Sequence, residues 1–226
     1  MALENKNFKE QFYLILTGIF IASLVASNLI FQKFFTWNFL GINFELSVGI
    51  IAYPVTFLVT DLISELYGQK RANQVVVSGF FASVFTTLLV LISVNATAVQ
   101  WSPIDSVTFS KVFGLTGPAF FASMVAYLTA QLIDVRIFHF WKRLTKGKHL
   151  WIRNNASTMF SQLVDTSMVL IILCSAGAIG WERFGTLLLM GWLFKVLVAL
   201  IDTPIIYFLL WLLKDKIRPA SYLEEK

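Results

Sequence analysis

The stretch Asn73–Val94, NQVVVSGFFASVFTTLLVLISV, runs for 22 residues without a charge and follows closely on Lys70 and Arg71. A bilayer core about 30 Å thick is crossed by roughly 20 apolar residues in α-helix, so this segment marks an integral membrane protein. Five more blocks of the same kind lie around it. Helices are expected at about 11–34, 44–67, 73–94, 117–141, 154–179 and 184–213. They take up nearly all of the 226 residues, which leaves one transmembrane domain, an all-α bundle of six helices, and no soluble domain. Composition agrees: 57% of residues are hydrophobic and 14% charged, with mean hydropathy +0.72, where a soluble domain is about a quarter charged.

The basic residues set the orientation. The N-terminus, the loops after the second and fourth helices, and the C-terminus hold 13 of the 18 Lys and Arg, among them Lys6, Lys70, Arg71, Lys142, Arg153 and Lys214. The opposite set holds 3, Lys33, Lys111 and Arg183, and Arg136 and Lys195 lie inside spans. Positive loops stay on the cytoplasmic side, so both termini are expected inside. The net charge of +5 is then a topology signal, and nucleic acid is not expected as a partner. Trp37, Trp101 and Trp181 near the outer ends, with Trp141, Trp151 and Trp211 near the inner ones, suit aromatic belts. Val25-Ala26-Ser27 resembles a weak signal-peptide cleavage site, but the apolar run before it is too long and more spans follow. The segment Asn95–Thr116, with Pro103 and Gly114, reads as the longest non-helical piece, placed outside.

Charged side chains within a bilayer are costly and normally face the bundle interior. In the second helix Tyr53, Phe57, Asp61 and Glu65 recur every four residues and share a face. Two aromatics above two carboxylates suit a flat, nitrogen-rich ligand; the plainer reading of Glu65 pairs it with Lys70 or Arg71. Tyr127, Gln131, Asp134 and Phe138 form a similar stripe in the fourth helix, with Arg136 pointing elsewhere as an interfacial anchor. In the fifth, Asn154, Thr158, Ser161 and Asp165 line one face, with Asn155 and Gln162 beside it. Lys195 and Asp202 lie in the sixth. Asp165 and Lys195 both fall near mid-depth, where an ion pair is expected, either for coupling or purely to fix packing. Pro54 and Pro204 are expected to interrupt the second and sixth helices. Ala22, Ser23, Ala26 and Ser27 form two small-xxx-small pairs, read as internal packing or as docking to a partner membrane protein, and Asn28 beside them reaches the interior.

Enzyme chemistry finds little support. His139 and His149 are the only histidines, and there is no HExxH, Gly-rich phosphate loop or G-x-S-x-G. Cys174 stands alone, so neither a disulfide framework nor a cysteine metal site is available. No cofactor or metal is expected.

The residues Ala52-Tyr53-Pro54-Val55-Thr56-Phe57-Leu58-Val59-Thr60-Asp61-Leu62-Ile63-Ser64-Glu65-Leu66-Tyr67-Gly68 resemble the Y/F-P-x-T-F-L-x-x-D-x-x-x-E-x-Y-G signature of the queuosine precursor transporter family, also called the vitamin-uptake-like family. Ala26-Ser27-Asn28, Gln131-Leu132-Ile133-Asp134, Ser161-Gln162-Leu163-Val164-Asp165-Thr166 and Asp202-Thr203-Pro204 are similar to its other polar motifs. The resemblance implies a six-helix fold related to the substrate-binding components of energy-coupling-factor transporters. It also implies import of 7-cyano-7-deazaguanine, its aminomethyl analogue or queuine across a bacterial inner membrane. A carboxylate can accept the paired N1–H and 2-amino donors of such a base. Asp61 or Glu65 suits that role, with Asp134 or Asp165 as alternatives; Asn28 and Gln162 meet the carbonyl and remaining ring groups, and Gln131 can both donate and accept, as a purine edge requires. Proton coupling through Asp165 and Lys195, a homo-oligomer, and an energising ATPase partner stay open, as do two rival classes: a substrate-capture subunit and an intramembrane enzyme.

Overall fold

The computed structural model describes residues 2–31, 33–39, 41–114, 117–175, 177 and 179–213; the side chains of residues 2–6, 39, 42, 53 and 117–123 lie outside the description. The C-terminal cations Lys214, Lys216, Arg218 and Lys226, the Lys6 amine and the Tyr53 ring therefore fall outside it. The chain runs α1 (Ala2–Ile30), β1 (Phe34–Phe39), β2 (Ile42–Ser47), α2 (Tyr53–Tyr67), α3 (Gln69–Asn95), α4 (Ser106–Phe113), α5 (Gly117–Leu144), α6 (Leu150–Ser175) and α7 (Phe184–Leu213). Short 3-10 turns at Val48–Ile51 and Trp181–Arg183 lead into α2 and α7. Among the described residues, five helical segments are long and apolar enough to cross a membrane: Asn7–Ile30, Val48–Tyr67, Gln69–Asn95, Leu150–Ser175 and Trp181–Leu213.

Apolar and polar residues are distributed inside-out compared with a soluble protein. Ile15 and Ile19 on α1, Phe81, Phe85 and Ile92 on α3, and Ile201, Phe208 and Trp211 on α7 are exposed. Thr56, Thr60, Asp61, Ser64, Glu65, Gln131, Asp134, Ser157, Ser161, Gln162 and Asp165 are buried. An apolar surface of that extent is stable only against lipid, and polar groups then gather where they can satisfy one another. α2 is the central helix. In its span 59% of the most apolar window is buried, against 22% for α1, α3 and α7, and it touches α1, α3, α5 and α7. α5 packs along α6, and α6 along α7. Gly79 lets α3 approach α1, since a Cβ there would stand 2.5 Å from the Phe20 ring.

The structure corrects the expected second helix. Phe44–Ser47 is strand, not helix, and Pro54 does not interrupt α2 but sits in its first turn, where a missing N–H costs nothing. Alternation explains the strand. Phe44 and Leu46 are buried while Asn43 and Glu45 are exposed, the period-2 pattern of a half-buried hairpin. β1 and β2 are antiparallel, Phe34 opposite Ser47 through Phe39 opposite Ile42, and Gly41 at the turn has φ +79°. Trp37 and Phe44 lay the hairpin on Phe194 of α7, with ring centroids 5.5 and 6.4 Å from it.

The hairpin is also tied to α1. Val48 N–H donates to the Lys33 carbonyl (2.7 Å), and Ser27 Oγ to the Gly49 carbonyl (2.7 Å). α1 accordingly stops at Ile30 instead of reaching residue 34. A second difference lies in 95–116, where α4 forms over Ser106–Phe113. Asp105 caps it, accepting from Thr108 N–H at 2.7 Å, and those hydrogen bonds hold its carboxyl below the ordinary range.

Candidate functional site

A cavity of about 250 Å³ opens at the hairpin end of the bundle. α1 supplies Ser27 and Asn28, and the turn after it Phe31; the hairpin supplies Phe34, Glu45 and Ser47; α5 supplies Met124 and Tyr127; α6 supplies Asp165 and Thr166; α7 supplies Gly191 and Lys195. Its walls are largely apolar, with polar groups at few points, the usual character of a small-molecule site. Lys195 Nζ lies 2.8 Å from Asp165 Oδ2 and donates to Thr166 Oγ1 at 3.0 Å. That leaves Asp165 Oδ1, buried and without a hydrogen-bond partner among the described residues. Asn28 Nδ2 contacts Met124 Sδ at 3.5 Å. The Tyr127 hydroxyl is within reach of Thr56 and Gln131.

A smaller void of about 20 Å³ shares Ile50 and Lys195 with the main cavity and is lined further in by Phe57, Thr158, Gln162 and Asp202. The buried face of α6 continues from Asp165 through Gln162, Ser161, Thr158 and Ser157 to Asn154 and Arg153. It therefore makes a polar track from the cavity toward the opposite end. Asn154 and Asn155 both donate to Thr203 Oγ1 of α7, at 3.1 and 2.8 Å.

Residues on the α2 stripe meet different surroundings. Phe57 lines the small void. Asp61 lies within hydrogen-bonding reach of Asp134, whose Oδ1 accepts from Ser161 Oγ at 2.9 Å. Neither carboxyl nor Gln131 lines the main cavity or the smaller void; they are buried between α2, α5 and α6. Glu65 is engaged at the far end, where Oε2 lies 3.0 Å from Arg153 Nη2 and 3.3 Å from Lys142 Nζ. Arg153, 1% exposed, also donates to the Gly147 carbonyl at 3.0 Å and stands over the Phe138 ring. The partners of Glu65 are these two cations and not Lys70 or Arg71; Arg71 pairs instead with Glu10 at 3.1 Å. Arg136 is exposed.

Ser27 is spent on internal packing. Its carbonyl would lie 2.8 Å from a Cβ at Gly49, so helix and turn meet through small residues on both sides. Ala22 and Ala26, by contrast, are on the exposed side of α1. Glu45, Phe31, Lys142 and Arg153 were not among the expected site residues. The alternation over Phe34–Ser47 around Leu40-Gly41 is the one sequence signal that points to Glu45.

A lipid-facing apolar shell around inward carboxylates and a central cavity defines a multi-pass membrane protein of the solute-transporter class. Within that class the chain belongs to the family described as "Putative vitamin uptake transporter", whose model matches residues 47–209. The chain is 28% identical over 166 residues to a "Probable queuosine precursor transporter" of Bacillus subtilis (strain 168), covering 71% of this chain and 70% of that one. It is 25% identical over 202 residues to the "Queuosine precursor transporter" of Escherichia coli (strain K12), covering 88% and 85%. A "Probable queuosine precursor transporter" of Haemophilus influenzae is 28% identical over 163 residues, covering 70% and 66%. No solved structure matches the chain. The relatives are transporters by name, and the chain is a transporter and not an enzyme.

Proposed function

We propose that this chain imports a queuosine precursor of the 7-deazaguanine type across the bacterial inner membrane, as a bundle of six crossing helices with both termini in the cytoplasm. The names of the relatives support the substrate class. The observation that carries the reading to this chain is the cavity of about 250 Å³ lined by Asp165, whose buried Oδ1 has no hydrogen-bond partner among the described residues. A guanine-like edge presents two adjacent N–H donors, which a carboxylate accepts side by side. Tyr127 and Phe31 offer ring faces to the base, and Asn28 offers an amide to its carbonyl. Lys195, 2.8 Å from Oδ2, holds the Asp165 carboxylate in orientation. In this assignment Asp61, Asp134, Gln131, Gln162 and Asp202 belong to the onward path, and Glu65 with Arg153 and Lys142 closes the cytoplasmic end.

The test is uptake of labelled 7-aminomethyl-7-deazaguanine, the nitrile and queuine by proteoliposomes holding the purified chain alone, with and without an imposed pH gradient. Accumulation of at least one compound, unchanged in mass and raised by the gradient, is expected. Binding without uptake would favour the capture-subunit reading, which the outward-facing Ala22 and Ala26 also suit. No binding of any of the three would remove the substrate assignment.

A further inference from the structure

Charge in the cavity is not balanced. Asp165 is neutralised by Lys195 at 2.8 Å. Glu45, the other acidic residue in the wall, has no ion-pair partner among the described residues. The hairpin register places it opposite Thr36. The alternation that buries Phe44 and Leu46 on either side leaves Glu45 exposed at the mouth. A lone carboxylate beside an apolar wall raises the local concentration of cations and favours a ligand that brings a positive charge.

We propose that Glu45 selects queuosine precursors whose 7-substituent is a cation, over those whose substituent is neutral. The inference rests on the proposed function and refines its substrate class. A 7-aminomethyl group is an alkylamine and is protonated at neutral pH as a lysine amine is; a 7-cyano group carries no charge. On a 7-deazaguanine the 7-substituent leaves the five-membered ring, away from the N1–H and 2-amino edge. Asp165 and Glu45 line the same cavity, so a base that puts that edge on Asp165 has its substituent free to meet Glu45. The nitrile gains nothing from the carboxylate, whereas the ammonium forms a partly solvated ion pair with it.

The experiment compares uptake of the aminomethyl and cyano compounds by wild type, Glu45→Gln and Glu45→Lys in proteoliposomes. In Glu45→Gln the KM for the aminomethyl compound rises about two- to five-fold, the range of a partly exposed ion pair. It rises further in Glu45→Lys, and in both variants it rises by a larger factor than the KM for the nitrile. Equal changes for both compounds, or none for either, overturn the inference. Glu45 is exposed on the hairpin, so both variants fold, and their uptake of the nitrile serves as the internal control. Wild type that carries neither of these compounds nor queuine would bring down the proposed function itself, a result distinct from wild type that carries both and variants that discriminate no differently.

Discussion

The buried cluster of Glu65, Arg153 and Lys142 allows a prediction worked from charge count. Glu65 is 5% exposed and holds two cations, Arg153 at 1% and Lys142 at 6%. The cluster carries a net +1. Glu65→Gln raises it to +2, with two buried cations and no counter-charge. Arg153→Met lowers it to zero, leaving Lys142 on Glu65 at 3.3 Å. Removing one partner from a buried ion pair destabilises by about 3–5 kcal/mol, because the other charge is stranded. The first variant strands two charges and falls at or above that range. The second strands none, and loses the Gly147 hydrogen bond and the Phe138 stacking, about 1–3 kcal/mol. For a chain of this size 1 kcal/mol moves the midpoint by about 2–4 °C, so Glu65→Gln is expected to lower it by on the order of 10 °C and Arg153→Met by less. The assay is thermal unfolding of purified protein in detergent, read by tryptophan fluorescence at one scan rate. A Glu65→Gln protein as stable as wild type but unable to bind substrate would refute the cluster and return Glu65 to the binding site. An Arg153→Met protein less stable than Glu65→Gln would refute the charge argument.

Three other variants test separate parts of the site. Asp61→Asn keeps its volume and supplies an amide donor to Asp134, so expression and the unfolding midpoint stay near wild type while uptake is lost; normal uptake by a well-folded Asp61→Asn protein would take that residue off the path. Asp165→Asn and Lys195→Met each break the ion pair beside the cavity and reduce both stability and uptake, and the double variant recovers stability without uptake; a double variant additive in unfolding free energy would show the two residues uncoupled. Gly49→Ala places a Cβ 2.8 Å from the Ser27 carbonyl and 2.9 Å from Phe31 Cβ, which destabilises by about 1–3 kcal/mol through overpacking; an unchanged midpoint would mean that α1 and the turn separate freely.

Long-range arrangement and local pattern divide cleanly in this protein. The apolar blocks, such as Asn73–Val94, determine by length alone that the chain lives in a bilayer, because a bilayer sets one fixed distance to cross. The inward carboxylates were equally legible, since a charge in an apolar span has nowhere else to go. Their four-residue spacing placed Phe57, Asp61 and Glu65 on one face, and the structure buries all three. It did not reveal that they serve three different environments. That depends on which neighbour stands opposite, and Arg153 lies 88 residues from Glu65. The hairpin escaped for a local reason. Residues 44–52 are apolar enough to extend a helix, and only burial of Phe44 and Leu46 against α7 selects the strand, since tertiary contact overrides propensity in short apolar runs. With the hairpin went the mouth of the cavity and Glu45. Spacing thus determined which side chains turn inward, and only the packing of distant segments decided which of them are already paired and which still have an oxygen to offer.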